Sequence, residues 1–397
     1  MRTAEKERLR RLGVQVPDIL LPAPDVSPET FAVVACDQHS AEPAYWEQTR
    51  RLVGQAPSAL HLMLPEAWLT RGPEGGEPPK KETMWANMDR YLQQGVLQPV
   101  GEGFIYLRRR TVSGVRRGLM VALDLEEYSY TPGDKALIRA TEQTVPERLP
   151  PRVAIRRGAA LEMPHVMVLI DDREDRLMRA MEESTHGQAP LYDFELMQGG
   201  GHLTGYAVQQ TAQWQEIAEI LEGLKEKSGD GFLFAVGDGN HSLAAAKAYW
   251  EEKKQTLPLS QQQDDPARFA LVEVVNLYDP AMPFLPIHRL LYHVDPEEVQ
   301  RQVGFDAGNP PSLQELQPRL DRWLDDHPQA ELEYIHGEKE CRALAGEAPD
   351  RLAILYDTFD RGSVFPTVQK NGVFVRKSFS LGEACEKRYY LECRRIR

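Results

Sequence analysis

The chain has 397 residues, 42% of them hydrophobic and 27% charged, enough apolar material for one large core or two ordinary ones, and its length favours two domains. With 47 Lys and Arg against 60 Asp and Glu the formal net charge is −13, which argues against a nucleic-acid coat and against docking on anionic lipid. Four cysteines, Cys36, Cys341, Cys385 and Cys393, are too few and too scattered for a disulfide framework or a zinc knuckle, so the expected compartment is reducing and cytoplasmic.

Met1–Arg11 is charged and helical in character with no apolar stretch after it, unlike a secretory signal. The longest apolar runs, such as Val166–Ile170 and Gly231–Val236, fall far short of the roughly 18 residues of a membrane span. Phe31–Cys36 reads as a short strand that ends in Asp37-Gln38-His39, after which Ser40 caps a helix from Glu42 to Val53. Arg71–Lys81 is a Gly/Pro-rich loop before a helix over Glu82–Gln94. Phe104–Thr111 and Val115–Leu125 flank Ser113-Gly114 as a hairpin.

Tyr130–Arg157 reads as irregular, because Pro132-Gly133, Pro146 and Pro150-Pro151 interrupt it. A long loop of this kind in a compact domain is more often functional or disordered. His165–Asp171 is an apolar strand followed by a charged helix to Glu183, and Leu191–Met197 with His202–Val208 form a second hairpin. A helix over Gln210–Lys227 leads to the strand Gly231–Val236, a polar loop, and an alanine-rich helix over Leu243–Lys253. Beyond a Gln-rich linker, Leu257–Asp265, come a strand at Arg268–Leu277 and a Pro-punctuated loop at Asp279–Arg289. The tail carries helices at Pro296–Val303 and Ser312–Asp326 and short strands near Glu331–Ile335 and Leu352–Tyr356. The expected class is mixed α/β, with mixed sheets and hairpins flanked by helices: a main body over 1–291 holding every motif and a C-terminal α+β region over 292–397.

The sharpest local signal is Gly237-Asp238-Gly239-Asn240-His241-Ser242, entered by a strand and left by a helix. Such a junction aims unpaired backbone N–H groups and the positive helix end at one point, where a phosphate or carboxylate is held. It lacks the Gly-Lys-Ser/Thr of a Walker loop, and Ser242 stands where a dinucleotide fingerprint needs a third Gly or Ala. The bland alternative is a turn in which Asp238 or Asn240 caps the helix.

A second constellation runs from Arg139 through Glu142, Thr144, Arg148 and Arg152 to Arg156 and Arg157. Guanidinium forks match the paired oxygens of phosphate and carboxylate. From Arg108 to Arg157 ten Arg and Lys135 face six acids, a local charge of +5 that leaves −18 for the rest of the chain. Arg108, Arg109, Arg110, Arg116 and Arg117 read as a solvated strand face, so Arg139, Arg148 and Arg152 are the better anion contacts. Asp37 and His39 at one strand end, and His288-Arg289 after Asn276 and Asp279 at another, are weaker candidates, a helix cap and a hydrogen-bonded structural histidine being their ordinary roles. No Gly-X-Ser-X-Gly elbow, zinc-binding His-Glu-X-X-His helix or Cys–His pair appears.

Taken together, Ala35–Glu47 (ACDQHSAEPAYWE), Leu137–Arg152 (LIRATEQTVPERLPPR), Arg157–Asp172 (RGAALEMPHVMVLIDD), Val236–Trp250 (VGDGNHSLAAAKAYW) and Val274–Leu291 (VVNLYDPAMPFLPIHRLL) resemble one family of bacterial proteins, domain of unknown function 1015. That family is distantly similar to the ParB/sulfiredoxin-like nucleotide-binding superfamily, which includes ADP-dependent free serine kinases. The resemblance implies a ParB/sulfiredoxin-like core in which a loop at a helix start grips nucleotide phosphates. Asn240 and Ser242 depart from the usual Asp-Gly-His-His-Arg form of that loop, so one positive contact is missing, and an arginine of the Arg139–Arg152 stretch is the expected substitute.

On this reading ADP or ATP with Mg²⁺ is the cofactor and a small phosphorylated metabolite, serine or phosphoserine first, is the substrate. Gly237, Gly239, Asn240 and Ser242 hold the nucleotide phosphates. Asp238, His241 and Glu142 carry the chemistry, with Asp238 also meeting the nucleotide's Mg²⁺. Arg139, Arg148, Arg152, His288 and Arg289 bind the anionic substrate. Phosphoryl transfer asks mainly for positioning, positive charge and a base on the acceptor. The alternatives are a ParB-like nucleotide-binding regulator without turnover and a metal-dependent hydrolase built on Asp37, His39 and His241. Neither nucleic acid nor membrane is an expected partner, and the oligomeric state stays open, a homodimer included.

Overall fold

The computed structural model describes residues 2–69 and 72–397, so Met1 and Arg71, the first residues of two expected segments, lie outside it. A ten-stranded mixed sheet forms the body. Its order is Tyr192–Leu196, Gly201–Val208, Phe104–Thr111, Gly114–Asp124, Phe269–Asn276, Met167–Ile170, Phe234–Asp238, Ile138–Ala140 and Tyr128–Ser129, with Val14–Gln15 pairing the end of Gly114–Asp124. The hairpin half is antiparallel, while Met167–Ile170 runs parallel to Phe269–Asn276 and Ile138–Ala140 parallel to Phe234–Asp238.

Side chains alternate across the pleat, so both faces of this sheet are buried. Phe104 and Tyr106 enter one core and Ile105 and Leu107 the other; Val168 and Ile170 face away from Met167 and Leu169 in the same way. The first face is covered by the helices Arg2–Arg10, Arg176–Thr185, Thr211–Lys227 and Asn240–Lys254, which contribute Leu9, Met178, Trp214 and Trp250. The second is covered by Pro43–Val53, Lys81–Gln93 and Val364–Asn371, which contribute Trp46, Met88 and Phe365. Each large apolar side chain removed from water in this way contributes about 1.5–3 kcal/mol.

A second, four-stranded antiparallel sheet is built on the long strand Phe284–Tyr292, flanked by Glu331–His336, Arg351–Ile354 and Phe379–Leu381. From Phe379 the chain returns to the main body. Tyr389–Tyr390 pairs Val33–Val34, Arg394–Arg395 pairs Leu161–Glu162, and Cys393 bridges to Leu20. A division at Leu291 therefore separates these strands from the partners they bond.

Several expectations change. Phe31–Cys36 is the end of a helical turn, Pro28–Phe31, followed by the two-residue strand Val33–Val34. The segment expected to be irregular holds the strand Ile138–Ala140 and a ten-residue helix, Leu149–Gly158. Pro150 and Pro151 sit in its first turn, where a missing N–H costs nothing. The loop expected over Asp279–Arg289 becomes strand from Phe284, with Pro286 opposite Phe379. Arg109 and Arg116 are each only 2% exposed, so they are not part of a solvated face as Arg108 and Arg110 are. The four cysteines are unpaired, and among the described residues no helix is long and apolar enough to cross a membrane.

Candidate functional site

The Phe234–Asp238 strand lies between Met167–Ile170 and Ile138–Ala140 and ends at the loop singled out in the sequence. Gly239, at φ +79°, turns the chain directly into the helix Asn240–Lys254. Asn240 is buried and accepts from the Thr141 N–H at 3.2 Å, while the Thr141 hydroxyl donates to the Val236 carbonyl at 2.6 Å. The junction is thus clamped to the neighbouring strand, and none of the described residues accepts from the Asn240 or His241 amide. A Cβ at Gly239 would approach Val166 Cγ2 to 2.9 Å in a left-handed conformation. Gly239→Ala is expected to cost about 1–2 kcal/mol and to weaken anion binding at the loop, which thermal unfolding and phosphate titration measure together.

Charge around the loop is mainly positive. His241 accepts the Val145 N–H on Nε2 at 3.2 Å. Burial, then Arg148, Arg152, Arg376 and Lys377, push its pKa from the ordinary 6.5 down to about 4, so the ring is neutral at pH 7. Asp238 accepts from Lys387 Nζ at 2.9 Å and from the Gly239 N–H at 2.9 Å. Burial opposes its charge, yet Lys387 and then His165 outweigh it and hold the carboxyl below its usual range. Glu142 accepts the Lys377 N–H at 2.9 Å. Thr144, beside Val145, keeps its buried hydroxyl without a partner among the described residues.

The structure thus gathers Gly237, Asp238, Gly239, Asn240, His241, Ser242, Glu142, Arg148 and Arg152 at one end of the sheet. Arg148 is exposed, and Arg152 bonds Glu66 at 2.7 Å. It does not bring the other candidates there as contacts. Arg139 pairs with Asp230 at 2.8 Å and lies over the Phe232 ring. His288 is 2% exposed and accepts the Tyr356 N–H. Arg289 is fully buried and donates to Gln317 and to the Ile287, Arg376 and Lys377 carbonyls. Burial lowers its pKa to about 10, which leaves it charged at pH 7. Arg289 therefore acts on the site only by holding Arg376 and Lys377. Asp37 accepts from Gln38, and His39, at φ +50°, bonds Glu42 and stacks on Tyr45. Among the described residues no group of three or more His, Cys, Asp or Glu could hold a metal ion, so Asp37, His39 and His241 form no metal centre.

The sequence reading missed Arg376, Lys377, Lys387, His165 and Tyr390. Ser242 Oγ lies 2.9 Å from His165 Nε2, His165 Nδ1 lies 2.8 Å from the Tyr390 hydroxyl, and Tyr390 also reaches Cys36 Sγ at 3.2 Å. The dense basic and aromatic run Lys387-Arg388-Tyr389-Tyr390 was the available signal. Arg109, buried under it, donates to the Cys385, Glu386 and Lys387 carbonyls and fixes where Lys387 starts. A shallow depression of about 580 Å³ beside Glu126, Glu127, Lys247 and Glu251 contains none of these groups.

The family model described as "Protein of unknown function (DUF1015)" matches residues 19–339. The chain belongs to the DUF1015 family. The match ends before the segment that carries Arg376, Lys377, Lys387 and Tyr390, so these four candidate residues lie beyond the matched region. No curated protein matches the sequence. Among solved structures, a conserved hypothetical protein from Pyrococcus furiosus is 12% identical with TM-score 0.34, covering 68% of this chain and 90% of its own. A free serine kinase in complex with AMP is 11% identical with TM-score 0.38, and a variant in complex with ADP is 10% identical with TM-score 0.39; each alignment covers 70% of this chain and 92% of the kinase.

Proposed function

We propose that this DUF1015 protein binds a nucleoside di- or triphosphate at the Gly237–Ser242 loop and moves a phosphoryl group between it and a small anionic metabolite, as a phosphotransferase or phosphatase. The observation that carries this reading is the neutral His241 held among Arg148, Arg152, Arg376 and Lys377 at the start of a 15-residue helix whose first amides are free. A strand-to-helix junction with clustered cations favours phosphate over water. In this reading the Asn240 and His241 amides, with Arg148, Arg376 and Lys377, receive the phosphates, while Arg152 stays paired with Glu66. Glu142 is the base for the acceptor, and the metabolites to be compared run from serine and phosphoserine to phosphomonoesters with an apolar body. Mg²⁺ fits Asp238 poorly because Lys387 holds that carboxylate, so no step is routed through the metal.

The test is calorimetric titration of ADP and ATP, followed by ³¹P spectroscopy with candidate metabolites. Arg376→Ala is expected to weaken ADP binding about tenfold, the loss of one charge-assisted contact. Absence of nucleotide binding at millimolar concentration would overturn the reading. The Asp238–Lys387 pair favours a second reading, a nucleotide-binding regulator, because a carboxylate committed to an ammonium is a poor base. Tight nucleotide binding with no phosphorus moved would select it.

A further inference from the structure

Next to the loop, with Ser242 in common, lies a cavity of about 240 Å³ whose lining also includes Arg152 and Cys36. Its walls include Leu62, Met84, Met88, Ile155, Leu161 and Met163. Thioether side chains are flexible and polarisable, so such walls adapt to an irregular apolar body. Both carboxylates on the lining are paired, Glu66 with Arg152 at 2.7 Å and Glu162 with Arg156 at 2.5 Å, and Arg156 keeps a buried Nε without a partner among the described residues. The remaining polar groups are the linked Ser242, His165, Tyr390 and Cys36 at the loop end. No uncommitted carboxylate on this lining awaits an ammonium, so the cavity does not complement the body of an amino acid.

From this juxtaposition of a phosphate-holding helix start with a methionine-walled cavity we infer that the metabolite is a phosphomonoester with an apolar organic body, phosphate on the loop and body in the cavity. The inference rests on the phosphoryl-transfer reading and names its substrate class. Ser242 marks the join, its hydroxyl bonded to His165 on the cavity side while its backbone belongs to the first turn of the helix.

Calorimetry on the full chain with benzyl phosphate, O-phosphoserine, inorganic phosphate and ADP tests it. Benzyl phosphate is expected to bind at least about tenfold more tightly than phosphoserine, the gain from burying one ring-sized apolar group. Met163→Trp at the half-buried wall, or Ala245→Phe on the helix, is expected to abolish that preference and leave inorganic phosphate binding unchanged, with cooperative thermal unfolding confirming the fold. Equal or tighter binding of phosphoserine, or a preference that survives in both folded variants, would overturn the inference. ADP separates the two ideas. A benzyl phosphate preference without ADP binding removes the nucleotide and keeps the pocket, whereas ADP binding without the preference removes the pocket and keeps the nucleotide.

Discussion

Replacing Arg388 by Ala is expected to destabilise the protein by about 3–5 kcal/mol, the cost of breaking a buried charge pair, and to abolish ligand binding at the loop. Arg388 is 3% exposed and bridges two fully buried carboxylates, reaching Glu273 at 2.8 Å and bonding Glu392. Burial alone would raise the Glu273 pKa, and Arg116 with Arg388 reverse the effect, so the carboxylate stays ionised within the sheet. Without Arg388, Glu273 is left with Arg116 at 3.5 Å and no charge-assisted bond, and among the described residues Glu392 keeps only the Tyr192 hydroxyl. The site suffers with the fold, since Lys387 and Tyr390 flank Arg388 and take their places from the same buried segment. Urea denaturation measures the effect. Arg110→Ala, on the exposed side of its strand, is the control and is expected to shift stability by less than about 0.5 kcal/mol. Neutralising the partners as well, in Arg388→Met with Glu273→Gln and Glu392→Gln, is expected to recover part of the loss. Equal midpoints for wild type and Arg388→Ala would refute this account of the C-terminal segment.

Much of the scaffold was legible because local chemistry and tertiary packing agree. The hairpin at Ser113-Gly114 forms with Thr111 opposite Gly114, and the strand, loop and helix around Gly237–Ser242 fall where the apolar run and the glycines place them. The misses have physical causes. Pro150 and Pro151 were read as breakers, but a helix tolerates proline in its first turn. Arg109 and Arg116 were read by composition, whereas strand alternation puts Arg109 on the same face as Ile105 and Leu107, hence in the core. His288 and Arg289 looked like an anion grip because adjacency in sequence hides which face of a strand is covered. The cations that meet His241 come from two distant segments, Arg148 to Arg152 and Arg376 to Lys377, and only the returning C-terminal chain brings Lys387 to Asp238. Contacts of that kind depend on topology, which no local pattern contains.

His241 gives the site a pH signature. Its pKa falls from 6.5 in the unfolded chain to about 4 in the fold, so above pH 6.5 both states are neutral and the ring adds no pH dependence. As the pH falls below 6.5 the unfolded chain takes up a proton that the folded protein refuses, and stability drops by about 1.4 kcal/mol per pH unit until the folded ring also titrates. The total is up to about 3 kcal/mol, an upper figure for a half-buried ring. His241→Gln keeps an acceptor for the Val145 N–H but has nothing to titrate, so its stability is expected to stay flatter between pH 6.5 and 4, as urea midpoints at each pH will show. An anion on the loop offsets the charge of Arg148, Arg152, Arg376 and Lys377, so saturating inorganic phosphate is expected to raise the His241 pKa, read from the imidazole proton shifts. Parallel pH curves for the two proteins would remove His241 from the cation cluster, and a pKa indifferent to phosphate would remove the anion from the loop.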